Sequence, residues 1–318
     1  MRFREYLVLF VLAALWGSSF LFIRVAVTEL SPLSLVGARS VIATIGLLLV
    51  VPFQSRVLQG WRTHLGSFAV VAIFNAIIPY LAISWGEQYV PSGLAAILTS
   101  TLPLATVIIS HWWPGGERIT WQRFAGVAIG IVGVAIVIGP TALNSGVSIS
   151  YVLGICSILL GAISYAIGGL LAHQLLVGLP SILPALGQTA LGACILGPIA
   201  AVAFAVHPAA LPLSGAVVAS VLGLALAGTT FAYICFYWLI DHVGPTRTVI
   251  VTYLLPCMAL VYGALLLHES IGINALAGLA IVLLGIFLVG RKTAGQSLDE
   301  HTVQAAHLQV KTEERINS

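Results

Sequence analysis

The groups able to do chemistry are few, and most stand where they could do little. The 318-residue chain has ten carboxylates, and Glu5, Glu29, Glu87, Glu117, Asp241, Glu269, Asp299, Glu300, Glu313 and Glu314 all fall in loops, termini or the ends of apolar runs. A proton relay through a bilayer places an Asp or Glu within a span, and no midplane carboxylate is available here. Glu87 comes nearest, and reads either as a relay or as a plain interfacial acid. The eight histidines form no HExxH pattern, and paired intramembrane carboxylates are absent. Cys156, Cys194, Cys235 and Cys257 sit in apolar runs at no metal-ligand or redox spacing, and read as small packing residues. Neither a catalytic constellation, nor a metal site, nor a cofactor is expected.

Arg39 is the sharpest single group. It stands about seven residues into the second apolar run, which on a helix is roughly 10 Å from the boundary. Charge at that depth faces a cavity or a partner. One reading is an anchor for an anionic group, such as an amino-acid carboxylate held bidentately. The other is snorkelling to headgroups, or pairing with Glu29 or Glu87. Arg24, closer to the surface, suits snorkelling. Trp16, Tyr80, Tyr165, Tyr233 and Tyr253 carry polar tips at depth and are cavity candidates, whereas Trp61, Trp85, Trp112, Trp113 and Trp238 at run ends suit an aromatic belt. Ser19, Asn75, Thr99 and Ser164 could hydrogen-bond a solute or glue helices together. Pro103 and Pro256 each lie about 12 residues into their runs, where proline removes a backbone hydrogen bond and kinks the helix. They are the candidate hinges.

The elements that must hold these groups are membrane helices. The chain is 59% hydrophobic and 7% charged, against about 25% charged in soluble domains, so its solvent must be lipid. The net charge of +3 comes from loops and does not point to nucleic acid. Length and punctuation give ten spans: 6–26, 32–52, 66–86, 91–112, 121–139, 149–171, 182–204, 214–239, 244–267 and 272–290. The basic Met1–Arg4 segment and the run after it read as a retained first helix. Of the 13 basic residues, 11 fall on one side if the N-terminus is cytoplasmic, leaving only Arg24 and Arg39. The C-terminus is then cytoplasmic as well.

The chain also repeats itself. At an offset of 153, Tyr80 meets Tyr233, Trp85 meets Trp238, Val90 meets Val243, Ile97 meets Ile250, Thr99 meets Thr252, and Leu102-Pro103 meets Leu255-Pro256. At 152, Glu117 meets Glu269, Gly126 meets Gly278, and Gly133 meets Gly285. Such self-similarity marks an internal duplication, here residues 1–145 and 146–290, followed by a cytoplasmic tail at 291–318. Five spans per half is odd, so the second half enters the membrane inverted. Inverted repeats are a transporter architecture with a midplane binding site. Arg39 has Gln188 as its approximate counterpart, so an anion site would be one-sided. The Gly126, Gly130, Gly133, Gly278 and Gly285 faces suit close packing across the pseudo-two-fold, or a dimer interface.

Leu15-Trp16-Gly17-Ser18-Ser19-Phe20 resembles the opening signature of EamA-type transporters in the drug/metabolite transporter superfamily. Ser31-Pro32-Leu33 with Ala38-Arg39, Leu94-Ala95-Ala96, Leu102-Pro103-Leu104 and Gly116-Glu117-Arg118-Ile119 resemble its later helices. In the second half Leu255-Pro256 and His268-Glu269-Ser270-Ile271 recur, but Ser164-Tyr165-Ala166 stands where the Trp-Gly pair would repeat. The resemblance implies an all-α integral membrane protein with ten transmembrane helices in two inverted five-helix repeats. It also implies alternating access around a central cavity in a bacterial inner membrane. The expected activity is secondary transport, with export of small metabolites such as amino acids or related amphipathic compounds, and a proton or counter-solute as a possible coupling partner. A passive solute channel is the alternative, and enzymatic activity is not expected.

Overall fold

A computed structural model describes residues 1–50, 61–144, 148–180, 182–206 and 212–290. The tail at 291–318, Arg56, the end of the second span past Val50, the His207-Pro208 break and the boundary at 145/146 lie outside the described residues.

Every described regular element is helical. Among the described residues, nine helices are long and apolar enough to cross a bilayer. They are α1 (Phe3–Ala26), α2 (Pro32–Val50), α3 (Arg62–Gly86), α4 (Ser92–Trp112), α5 (Trp121–Gly139), α6 (Ile149–Leu175), α7 (Ile182–Val206), α8 (Gly215–Val243) and, last in the chain, α10 (Ile273–Gly290). The tenth apolar helix, α9 (Val251–Leu266), is shorter. The expected span 244–267 is interrupted near its start, where a single turn over Pro245–Thr248 is followed by a tighter hydrogen-bonded turn at Val249–Ile250 before α9 begins. The helix starts follow simple chemistry. Ser148 and Ser214 accept from Ser150 N–H and Val217 N–H as side-chain caps, satisfying donors that a helix start leaves open. Large apolar side chains such as Ile45, Ile131, Val202 and Leu265 are exposed on the outside of the bundle, a surface that suits lipid.

The packing is pseudo-symmetric. α2 packs on its counterpart α7, and α5 on its counterpart α10. α1 packs on α8 and α9, while its counterpart α6 packs on α3 and α4. The α5–α10 contact shows the symmetry atom by atom. A Cβ on Gly126 would lie 2.8 Å from the Gly285 carbonyl oxygen, and one on Gly285 would lie 2.6 Å from that of Gly126. A Cβ on Gly133 would lie 2.9 Å from the Gly278 oxygen, and the reverse distance is 2.8 Å. Gly126 thus faces the repeat mate of Gly133, and Gly133 faces the mate of Gly126, the crossed pattern a two-fold produces. Only small residues let backbones approach this closely.

Both halves also widen their third helix. α3 turns into a π-helix over Ile73–Ile77, and α8 does so over Gly223–Phe231. Adding 153 to 73 and 77 gives 226 and 230, inside the second π segment. A π turn displaces backbone carbonyls from their usual partners, and in an apolar setting something must satisfy them. Ser164 Oγ donates to the Phe74 carbonyl at 2.8 Å, Thr229 Oγ1 to that of Leu224 at 2.9 Å, and Thr230 Oγ1 to that of Ala225 at 3.2 Å. Around these segments the halves exchange polar and small partners. A Cβ on Gly168 of α6 would lie 2.4 Å from Asn75 Oδ1, and one on Gly228, the mate of Asn75, would lie 2.4 Å from Ser19 Oγ of α1. α4 breaks differently, at Ser100–Thr101 just before Pro103, so the two proline helices are not interrupted at matching positions.

Candidate functional site

Bordered by Asn75 of the first π segment and by the residues around the break in α4, a cavity of about 320 Å³ lies between the two halves. That equals roughly ten waters at about 30 Å³ each and falls in the range of small-molecule sites. Trp16, Ser19, Arg39, Asn75, Tyr80, Thr99, Tyr165, Gln188 and Tyr233 line it, with the hinge candidate Pro103.

Two of the sequence-derived cavity candidates do not line it. Ser164 instead ties α6 to α3 through Phe74. Tyr253 packs in the apolar cluster shared by α4, α5, α9 and α10. Each is the chain neighbour of a lining residue, Tyr165 or Thr252, and neighbours on a helix point about 100° apart. Pro256 is buried within α9 and does not line the cavity either, although its mate Pro103 does. The lining also includes Phe20, Ile23, Ser100, Phe236, Tyr237 and Thr252, which sequence reasoning passed over. Two of these had a signal, since Thr252 is the repeat mate of Thr99 and Tyr237 follows Tyr233 by one turn.

At the centre the two halves touch through a repeated residue. Tyr80 and Tyr233 are mates at an offset of 153, and their hydroxyls lie 3.1 Å apart. Gln188 Nε2 donates to the Tyr233 hydroxyl at 2.8 Å, extending the chain into α7. Arg39 completes the cluster. Its guanidinium lies 3.6 Å from the centroid of the Tyr80 ring, and Nε donates to Thr229 Oγ1 at 2.9 Å. With 6% exposure, Arg39 does not snorkel to headgroups, and among the described residues it makes no ion pair with Glu29 or Glu87. A desolvated guanidinium over an aromatic face gains about 2 kcal/mol, and Nε is occupied while the Nη groups make no hydrogen bond among the described residues. Arg39 is the one charged side chain among the described lining residues, so the site presents positive charge, aromatic faces and neutral hydrogen-bonding groups.

One end of the bundle is held by polar contacts between elements. Arg24 of α1 donates to the backbone carbonyl of Glu87 at the end of α3. Glu269, between α9 and α10, accepts from Ser92 N–H at 2.9 Å, Ser92 Oγ at 3.0 Å and Gly93 N–H at 3.2 Å, capping α4. Glu29, after α1, accepts from Ser214 N–H at 2.9 Å, and hydrogen bonding to Ser214 holds its carboxyl below the ordinary value. The repeat mate of Glu269 behaves otherwise: Glu117 pairs with Arg123 of its own half. Two recesses lie away from the central cavity, one of about 400 Å³ beside Glu117, Arg123 and His173, and one of about 460 Å³ beside Arg24, Gln88 and Glu269. Among the described residues, no three His, Cys, Asp or Glu side chains converge as a metal site.

The profile of the EamA-like transporter family matches residues 3–139 and 152–291. The chain is 30% identical over 295 residues to the uncharacterized inner membrane transporter YedA of Escherichia coli K12, covering 91% of this chain and 92% of that one. It is 26% identical over 291 residues to a Streptantibioticus cattleyicolor protein named "Probable terminal-alkyne amino-acid exporter", covering 90% and 93%. A crystal structure with 15% sequence identity superposes with a TM-score of 0.62, covering 91% of this chain and 96% of the other. That likeness bears on the fold alone.

Proposed function

The chain belongs to the EamA-like transporter family, and on that premise we propose that it is a secondary transporter exporting small metabolites, amino acids or related amphipathic compounds, by alternating access. In this reading ten spans form two inverted five-helix repeats, residues 1–145 and 146–290, with both termini in the cytoplasm of a bacterial cell and the bundle in its inner membrane. The end tied by Arg24, Glu29 and Glu269 is then the outer face, and it is closed.

The observation that carries the reading is the cavity at the junction of the repeats, where the mates Tyr80 and Tyr233 meet and Arg39 stands beside them. A carrier with two inverted halves binds its solute at this junction and rocks one half against the other. The lining supports a solute with an anionic end and an apolar body. Arg39 would take a carboxylate through its free Nη groups, Trp16, Tyr165 and Tyr233 would cover apolar surface, and Asn75, Gln188, Thr99 and Ser19 would take up hydrogen bonds. The name of the Streptantibioticus relative favours the same solute class. Pro103 beside the break in α4, and Pro256 in α9, are the proposed hinges.

Counterflow in proteoliposomes tests the reading. Vesicles preloaded with unlabelled amino acids of one side-chain class are diluted into a trace of labelled solute. Transient accumulation above equilibrium is expected for at least one apolar or aromatic class. Simple equilibration without overshoot would indicate a passive channel and overturn the carrier.

A further inference from the structure

Glu87 takes no part in the cavity described above. It follows the last residue of α3, is 0% exposed, and neither carboxyl oxygen has a hydrogen-bond partner. Ser84, three residues earlier, is 1% exposed, and its hydroxyl also lacks a partner. Three charged groups reach Glu87 electrostatically: Arg24 of α1, Glu269 of the α9–α10 connection and Arg39 of α2. Each is engaged elsewhere. Arg24 donates to the Glu87 backbone carbonyl, Glu269 caps α4, and Arg39 bonds Thr229 and covers Tyr80. From α6, Ile158 and the Gly154 backbone crowd Gly86, and Ser157 Oγ donates to the Ala82 carbonyl one turn earlier.

An ionised carboxylate buried without a partner costs several kcal/mol, so such a group becomes neutral instead. Burial pushes the Glu87 carboxyl well above its ordinary value, and Glu269 adds to the rise, while Arg24 and Arg39 oppose it. A hard cation needs six or more oxygen ligands, and here two neighbouring side chains are open, neither of which lines any of the three cavities. The ligand that fits is a proton.

We propose that Glu87 is a proton-binding site, loaded while the face tied by Arg24, Glu29 and Glu269 is closed, and emptied to the outer water when that face opens. The inference rests on the alternating-access reading. In the step itself the Glu87 O–H bond breaks, the proton passes to water, and the carboxylate left behind pairs with the Arg24 guanidinium released from the Glu87 carbonyl. The direction of the pH effect follows from linkage. Below the ordinary carboxylate range both conformations hold the proton, and opening does not depend on pH. Above it the closed form alone holds the proton, so opening becomes about tenfold more favourable per pH unit until the raised value of the closed form is passed. An external proton therefore acts as an effector that keeps the outer face shut.

Infrared difference spectroscopy of the full chain reconstituted in lipid tests the site without any solute. At neutral pH the wild type should show a carboxylic-acid C=O band that disappears in Glu87→Gln, persists in Glu269→Gln and moves in frequency in Glu87→Asp. Glu87→Gln is isosteric with the protonated acid and should fold. A band absent from the wild type, or unchanged in Glu87→Gln, would overturn the site. The link to opening is read separately, by modifying a Thr99→Cys variant lacking the four native cysteines with a membrane-impermeant thiol reagent from the outer side. The rate should rise about tenfold per external pH unit, after correction for thiol ionisation measured on a small-molecule thiol, and should lose that rise when Glu87→Gln is added. An equal rise in both backgrounds would overturn the link. Absence of labelling from that side at every pH would overturn alternating access instead, and the infrared band would still decide the proton site.

Discussion

Replacing Arg39 by Gln should weaken recognition of carboxylate-bearing solutes and leave uncharged analogues almost untouched. The native side chain is fixed by Thr229 at Nε and by the Tyr80 ring beneath the guanidinium, which leaves the Nη groups for a ligand. A hydrogen bond to a charged partner contributes about 1.5–3 kcal/mol, and the Gln amide can replace only part of it. The half-saturating concentration for a transported amino acid should therefore rise roughly 10–100-fold, against less than about threefold for the matching amino-acid amide or alcohol. Arg39→Lys should fall between the two, because a lysine keeps the charge but neither the planar fork nor the stacking on Tyr80. The assay is counterflow in proteoliposomes with acid and neutral analogue side by side, after gel filtration shows that the variants are monodisperse. Equal losses for both analogues would mean that Arg39 supports the cavity wall and does not select charge.

Gly285→Ala should destabilise the detergent-solubilised protein by about 1–2 kcal/mol, since its Cβ would meet backbone atoms of Gly126 and Gly130 at 2.6–2.9 Å and overpacking outweighs the better helix propensity of Ala. Gly66→Ala, whose Cβ would meet nothing within 4 Å, should be neutral or slightly stabilising in the same thermal-unfolding assay. Tyr233→Phe strands both the Tyr80 hydroxyl and the Gln188 amide and should cost about 1–3 kcal/mol. Tyr80→Phe leaves the Gln188–Tyr233 bond intact and should lower the unfolding temperature less; the reverse order would refute the network. Glu269→Ala removes the cap on α4 and should lower stability by about 1 kcal/mol, with Glu269→Gln losing less.

Much of this architecture is readable from the chain itself. The duplication shows because Tyr80, Trp85, Thr99 and Pro103 recur at one offset, and helices of about 20 apolar residues have few alternatives to spanning a bilayer. The depth of a residue along its helix follows from counting, so Arg39 and Tyr80 are found at the level of the cavity. Rotation about the helix axis is harder to read. A helix surrounded by lipid and other apolar helices is hydrophobic all round, so nothing in the pattern tells Thr252 from Tyr253 or Ser164 from Tyr165. The π segments are equally hidden, because a one-residue widening near Asn75 and Gly228 changes hydrogen-bond register and not composition. Glu87 shows a third kind of gap. Its position at a span end suits either a relay or an interfacial acid, yet it is fully buried, with Ile158 and the Gly154 backbone against the preceding Gly86 and its own carbonyl held by Arg24, and enclosure by neighbouring elements leaves no trace in local sequence.

The most direct test of the account is the side from which the cavity can be reached. In a variant without the four native cysteines, Thr252→Cys places a thiol in the lining contributed by the second half. With the outer ties intact, a membrane-impermeant thiol reagent should modify it from the cytoplasmic side of oriented vesicles and only slowly from the outside. Adding Glu269→Ala, which loosens the outer ties, should speed modification from the outside and slow it from the cytoplasm, because one cavity serves both faces in turn. Fast modification from both sides at once, unchanged by Glu269→Ala, would describe an open pore and contradict alternating access.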